Sequence, residues 1–382
     1  MPTDFHAPDA DLAALLRCPV TGRSLVEATN ATTDRVRDAA ATLRHADGSA
    51  VPREIERVFA DTERERLYVQ ATGIARLLPD NAIPTTALAG SPLDLREREG
   101  VASTPEPSAD KVGVQRFYDD AGWKKVEGRY LDAKLFASDN LPAQRYKFRC
   151  TQRVTARLGR GGFLLDAASG PVPQGAATSY AQGFEHHVCV DLSLTALHEA
   201  RANLGPRGIY LLGDLTRLPL RDGVMDAAAS LYTIFHIPKD EQANAFRELH
   251  RVVQPGRRAV AVYCWGRHAL LPNLLTLPVQ LARYVHKRLL PKTRDGQPTL
   301  RSLYFHAHSP AWFDAQDWPF DYEVTCFRFA NNQLLQLYIH ERFGGQTLVD
   351  ALGNLEERYA HELGRLGYYP LITIHKAADS SR

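Results

Sequence analysis

The chain has 382 residues, more than one domain usually holds, and one large domain plus a small one is the natural division. Its 44% hydrophobic and 24% charged residues are ordinary for a globular protein, so the core can be large enough to need neither disulfides nor a structural metal. A net charge of +2, from 46 basic and 44 acidic residues, does not mark a general nucleic-acid binder, although it is compatible with a local basic patch. The five cysteines (Cys18, Cys150, Cys189, Cys264, Cys326) are far apart and form no CxxC, which argues against a disulfide framework or a four-cysteine zinc site. The start, MPTDFHAPDADLAALL, lacks a signal-peptide pattern, and no run reaches the ~18 apolar residues of a membrane span. A cytoplasmic location is the default expectation.

In chain order, residues 1–84 form one compositional block ending in GIARLLPDNAIP. Residues 85–110, rich in Pro, Ser, Thr and charge, are expected to be an exposed linker. From 111 to 149, aromatics and charges alternate irregularly, which suggests short helices with apolar anchors. Beyond Cys150 the pattern becomes regular. Apolar runs GGFLLDAAS, HHVCVDLS, GIYLLGDLT, DAAASLYTIFHI and RAVAVYCWG alternate with helix-like segments. Among these, SLTALHEARANL has Ser193 as N-cap, and KDEQANAFRELHRVV opens at Lys239-Asp240. Such alternation means an α/β fold, a parallel sheet covered on both faces. Residues 267–320 are mixed, 321–330 form a strand, 331–366 are helical, and YYPLITIHK is the last strand. There is no internal repeat.

In open α/β sheets ligands bind beyond the carboxyl ends of the strands. Those ends supply Asp166 followed by Ala-Ala-Ser-Gly, then Asp191 25 residues later, then Asp214 23 residues after that. Each interval suits one strand–helix–strand step. An acid at the second strand's end can accept both hydroxyls of a ribose, and one at the third can accept an exocyclic adenine amine. Small residues at Ala167, Ala168, Ser169 and Gly170 let backbone approach a ligand closely.

The blocks LLDAASGP, VCVDLSLTALHEA, YLLGDLTRLPLRDGVMDAAASLYTIFHI and RELHRVVQPG resemble, in order, the class I S-adenosylmethionine-dependent methyltransferases, in particular the ubiquinone/menaquinone C-methyltransferase-like group. The resemblance implies a doubly wound, seven-stranded Rossmann-like sheet whose seventh strand inserts antiparallel, and S-adenosylmethionine as cofactor. The methyltransferase domain would span 150–376, with an acceptor-pocket insertion at about 267–320. The family's turn usually reads Asp-x-Gly-x-Gly-x-Gly; here Ala168 and Val172 replace two glycines and only Gly170 remains. With Pro171 and Pro173 this makes a stiffer turn. No G-x-G-x-x-G follows the first strand, which disfavours a nicotinamide dehydrogenase.

Carried over residue by residue, Ala168, Ser169 and Gly170 would approach the methionine portion. Asp191 would bind ribose and Leu192 pack on adenine, while Asp214 and Leu215 would read the adenine edge. Leu231 and Tyr232 would flank the sulfonium. Asp166 joins this set, with capping of its own loop as the alternative; Asp226 is expected to be structural. If the acceptor must lose a proton, the candidate base is His236, in IFHIP after the fourth strand, against a packing or capping role. His306 and His308 are weaker candidates and form no recognisable metal-ligand pattern. RFYDDAGW resembles the family's helical lid, residues 111–149, with Tyr118, Trp123 and Tyr146 as covering aromatics.

Residues 1–84 resemble a small zinc-ribbon-like domain that begins with a Cys-Pro-x-Cys turn, free-standing versions of which activate methyltransferases. Only Cys18 survives of its usual cysteines and Thr21 stands where the second should be, so the domain is degenerate and no metal is expected. The apolar, basic stretch from Arg267 to Arg294 could lie on a membrane surface, cover a greasy acceptor, or be an ordinary surface helix with snorkelling basic heads. The expected function is methyl transfer to a small-molecule or lipid-like acceptor. The alternatives are a non-methylating, cofactor-binding regulatory module and a tRNA or protein methyltransferase, the latter disfavoured by near-neutral charge and the absence of an Asn/Asp-Pro-Pro-Tyr-type motif. Oligomeric state has no sequence signal.

Overall fold

Each apolar run after residue 160 contributes a strand, and the two polar-capped segments SLTALHEARANL and KDEQANAFRELHRVV each contribute a helix. The computed structural model describes residues 12–63, 65–89, 108–119, 123, 125–126, 129–130, 140–173, 176–289 and 303–378. Helix α1 (Leu194–Leu204) starts where the Ser193 hydroxyl accepts the Ala196 N–H at 3.1 Å, and it buries Ala196, Leu197 and Ala200. Helix α2 (Gln242–Val252) buries Ala245, Phe246, Leu249 and Val252, the three-and-four spacing of one helical face.

The carboxyl-terminal strands are β8 (Gly161–Ala167), β9 (Phe184–Asp191), β10 (Gly208–Leu212), β11 (Met225–Leu231), β12 (Val253–Val262), β13 (Asp321–Arg328) and β14 (Tyr369–His375). They run in the order β10-β9-β8-β11-β12-β14-β13. The first five are mutually parallel, and β14 is antiparallel to both neighbours, as the resemblance implied. The central strands are buried on both faces. Ala228, Ala259 and Ala261 pack into the core that contains Phe246, whereas Ala227, Ala229, Val260 and Val262 pack into the one that contains Tyr146 and Val154.

Two expectations need correction. Among the described residues the sheet has twelve strands, not seven, because β1 (Leu25–Glu27), β2 (Ile55–Asp61), β3 (Arg66–Ala71), β4 (Ile74–Arg76) and β5 (Ile83–Pro84) extend it, while β6 (Lys125–Val126) and β7 (Arg129–Tyr130) pair only with each other. Strand β4 pairs in parallel with β10, in the register Tyr210↔Ile74 to Leu212↔Arg76. Leu16, Leu25, Tyr68 and Leu77 share one buried cluster with Leu211, Leu218 and Leu220, so the amino-terminal strands and the parallel sheet have a common core. Cys18 lies within it, its sulfur 3.2 Å from the Tyr68 hydroxyl. The second correction concerns the fourth apolar run, which is not one strand: β11 stops at Leu231, and Ile234–His236 form a 3₁₀ turn.

Residues 331–366 are helical as expected, in Asn332–Tyr338, Gly345–Arg358 and Ala360–Leu366. Most of the linker and residues 290–302 of the insertion lie outside the described residues. Among the described residues no helix is long and apolar enough to cross a membrane.

Candidate active site

Strand β8 delivers Asp166-Ala-Ala-Ser-Gly to the carboxyl edge of the sheet. The three places where the family motif has glycine are all left-handed here, with φ of 60° at Ala168, 60° at Gly170 and 43° at Val172. Alanine and valine therefore occupy backbone that glycine would adopt without strain, at a cost on the order of 1–2 kcal/mol each. Glycine stands where space is tight, since a Cβ on Gly170 would lie 3.0 Å from the Trp123 ring, which would have to give by a few tenths of an ångström. The Val172 side chain is buried with Leu197 and Leu212, and this packing holds it in place.

Asp191, at the end of β9, closes the turn from the other side. Its Oδ2 accepts the Gly170 N–H and its Oδ1 accepts the Ser193 N–H, both at 2.8 Å. Burial pushes its carboxyl up to about 6, against the pull of those two N–H groups. Each carboxylate oxygen keeps a second lone pair for a ligand hydroxyl.

Asp214, after β10, is more committed. Its Oδ1 accepts the backbone N–H and the hydroxyl of Thr216, each at 2.8 Å. Its Oδ2 accepts from the Lys111 ammonium at 2.7 Å, which also reaches Glu241 at 2.5 Å. Burial disfavours the charge on Lys111, but the two carboxylates outweigh it and raise the ammonium's pKa.

These residues surround one cavity, lined by Ala168, Ser169, Gly170, Asp191, Leu192, Asp214, Leu215, Leu231, Tyr232 and His236, all named from the sequence. Asp166 is the exception. Its Oδ2 accepts the Tyr180 hydroxyl at 2.6 Å and lies 3.0 Å from His187 Nε2, so the side chain is spent inside the sheet and does not reach the cavity wall. Asp226 holds the start of β8, accepting the Gly162 and Phe163 N–H groups at 3.0 Å. Tyr118 and Trp123, stacked with ring centroids 4.9 Å apart, line the cavity as a lid would. Tyr146 does not, because it is buried and donates its hydroxyl to Glu356.

His236 Nδ1 lies 2.8 Å from the Tyr304 carbonyl oxygen. A carbonyl only accepts, so Nδ1 carries the hydrogen and Nε2 of the neutral ring is the acceptor. Burial lowers the pKa of His236, with the Tyr304 contact opposing, which keeps the ring neutral at pH 7. His306 and His308 are elsewhere: neither lines the cavity, and His308 stacks on Trp312 at 3.6 Å with Nε2 3.0 Å from the Lys239 carbonyl.

The sequence reading expected a lid from residues 111–149 and named Tyr118, but it did not name Lys111, Val114 or Gln115 of helix α3 (Ala109–Phe117). Lys111, Val114, Gln115 and Tyr118 all line the cavity, and the Gln115 amide donates to the Leu192 carbonyl at 2.9 Å. Their spacing of three, four and seven residues is one helical face, a signal present in the sequence but unread.

Residues 165–261 match the family described as Methyltransferase domain. No curated protein matches the chain. Solved structures similar to it include magnesium protoporphyrin IX methyltransferase from Synechocystis with bound S-adenosylmethionine, at 14% identity and a TM-score of 0.40, covering 72% of this chain and 100% of that one. Another is geranyl diphosphate C-methyltransferase from Streptomyces coelicolor with Mg2+, geranyl diphosphate and S-adenosylhomocysteine, at 14% identity and 0.40, covering 72% and 100%. A third is a methyltransferase in complex with the Haloferax volcanii Trm112 methyltransferase activator, at 14% and 0.39, covering 61% and 92%. By the family match, residues 165–261 carry a methyltransferase domain of the class I, S-adenosylmethionine-dependent kind.

Proposed function

We propose that the chain transfers a methyl group to a small-molecule or lipid-like acceptor, with His236 as general base where the acceptor atom must lose a proton. The observation that carries this reading is the tautomer lock on His236: a neutral imidazole with a free acceptor nitrogen, in the wall of the cavity that Asp191 also lines. S-adenosylmethionine supplies an activated sulfonium methyl, so the protein's task is placement and exclusion of water. Asp191 would hold the ribose, the Asp214–Lys111 pair the adenine edge, and the turn at Ser169–Gly170 the methionine end. Tyr118 and Trp123 screen that end from water. His236 Nε2 would take the acceptor's proton at the cavity wall.

The greasy side of the acceptor reading rests on helix α4 (Leu270–Leu289), where Leu270, Leu274, Leu277 and Leu281 are 55–68% exposed on one face. Such a stripe suits an apolar acceptor or a lipid surface better than water. The test is transfer of labelled methyl from S-adenosylmethionine to metabolites of a cell extract, resolved by mass spectrometry. Labelled small molecules support the reading. Label confined to nucleic acid or protein, or no transfer while cofactor binding is intact, would overturn it.

A further inference from the structure

Three acceptors converge on the Lys111 ammonium in the cavity wall. Its Nζ donates to Asp214 Oδ2 at 2.7 Å, to Glu241 Oε2 at 2.5 Å and to Thr216 Oγ1 at 3.1 Å. An ammonium has three hydrogens, so Lys111 keeps none for a ligand. The Lys111 and Asp214 side chains are 12% and 14% exposed, which leaves little water to replace either charge. Glu241 stands just before α2, with Oε2 3.5 Å from Thr216 Oγ1. One cation thus holds two carboxylates that would otherwise repel each other.

Asp214 has one acceptor site left for a ligand. Oδ1 accepts both the N–H and the hydroxyl of Thr216, which fills its two lone pairs. Oδ2 accepts from Lys111, and among the described residues nothing else donates to it, so one lone pair remains there. A ligand amine is therefore accepted at the same oxygen that Lys111 holds. Lys111 itself is carried by α3, the helix that also brings Gln115 to the cavity and ends at Tyr118.

We propose that Lys111 is a positioning residue for the adenine of S-adenosylmethionine: it holds Asp214 Oδ2 in place against the repulsion of Glu241, and Asp214, not Lys111, accepts the exocyclic amine. This deepens the methyl-transfer reading and rests on it for the identity of the ligand. Without the ammonium, Oδ2 loses its partner and two carboxylates are left beside Thr216, so the Asp214 carboxylate turns away from the base. Apolar contacts with the purine ring survive that change, and the preference for its amine does not.

The test is calorimetric binding, to the full chain, of S-adenosylhomocysteine and of its analogue with purine in place of adenine, which lacks only the exocyclic amine. The unmodified chain should prefer S-adenosylhomocysteine by about tenfold or more, as one hydrogen bond to a charged group contributes. Lys111→Met should bring the two affinities within about threefold of each other, and Lys111→Arg, which keeps the charge, should recover part of the preference. A lysine that merely fastened α3 would act differently. Its loss would weaken both ligands equally, since both lie against the same helix, and would leave their ratio unchanged. An unchanged ratio in Lys111→Met would overturn the proposal. If Lys111→Met does not fold, Lys111→Gln is judged by the same ratio. Equal binding of both ligands by the unmodified chain would also overturn it, together with the place given to Asp214 at the adenine edge. Failure of S-adenosylhomocysteine to bind the unmodified chain would overturn the methyl-transfer reading itself, and the proposal with it.

Discussion

The Gly170 N–H donates to Asp191 Oδ2 at 2.8 Å, joining the turn after β8 to the end of β9. That contact fixes a carboxylate in a buried place before any ligand arrives, and its protonation sets a pH dependence. With the carboxyl raised to about 6 by burial, the ionised form that accepts ligand hydroxyls dominates only above that value. Cofactor affinity should therefore be full above about pH 6 and fall as the pH drops below it, by at most tenfold per unit for one proton. The ligand-free fold should respond in the opposite sense, because a carboxyl raised from 3.8 gives a contribution present at low pH and lost as pH rises through 6. Calorimetric titration from about pH 5 to 7.5, on the unmodified chain and Asp191→Asn, checks both the slope and its disappearance.

Ala168 gives a second outcome. Alanine to glycine ordinarily costs roughly 0.5–1 kcal/mol in regular structure. At φ 60° relief of strain offsets that loss, so Ala168→Gly should leave the thermal midpoint unchanged or raise it. A drop of the ordinary size would show that the turn is not left-handed at this position.

Much of the cavity lining was legible because ligands bind beyond the carboxyl ends of the strands in an open α/β sheet, and acidic or small residues mark those ends here. An acid after each apolar run located Asp191 and Asp214, and the small residues after Asp166 located the turn. Asp166 itself misled, since an acid at a strand end can equally turn inward, and Tyr180 and His187, 14 and 21 residues away, drew it there. The extension of the sheet was hidden for a different reason. Strand β4 has three residues, too short for a periodicity signal, and its partner β10 lies more than 130 residues further on. Lys111 was hidden because its two carboxylate partners are 103 and 130 residues distant.

The amino-terminal strands carry their own prediction. A chain beginning at Thr85 would lose the β4 pairing and uncover Leu211, Leu218 and Leu220. It should be markedly less soluble and show a lowered midpoint or none, whereas two independent domains would leave the remainder stable. Soluble yield and calorimetric unfolding of that fragment distinguish these outcomes.

For His236, the expected effect of alanine is a fall in methylation rate of about 10²–10⁴-fold with nearly unchanged cofactor affinity. Loss of the Tyr304 contact alone would instead lower the midpoint and spare turnover of the folded fraction. Midpoint, affinity and rate are to be measured on the same preparation once an acceptor is in hand.

The measurement closest to the central claim is calorimetric binding of S-adenosylmethionine to the full chain and to Asp191→Ala at pH 7.5. One mole should bind per mole of chain. Removing the carboxylate should leave ligand hydroxyls unpaired, costing about 1–3 kcal/mol, and so weaken binding roughly tenfold or more. Absence of binding to the unmodified chain, or an unchanged affinity in Asp191→Ala, would contradict the placement of the cofactor in this cavity.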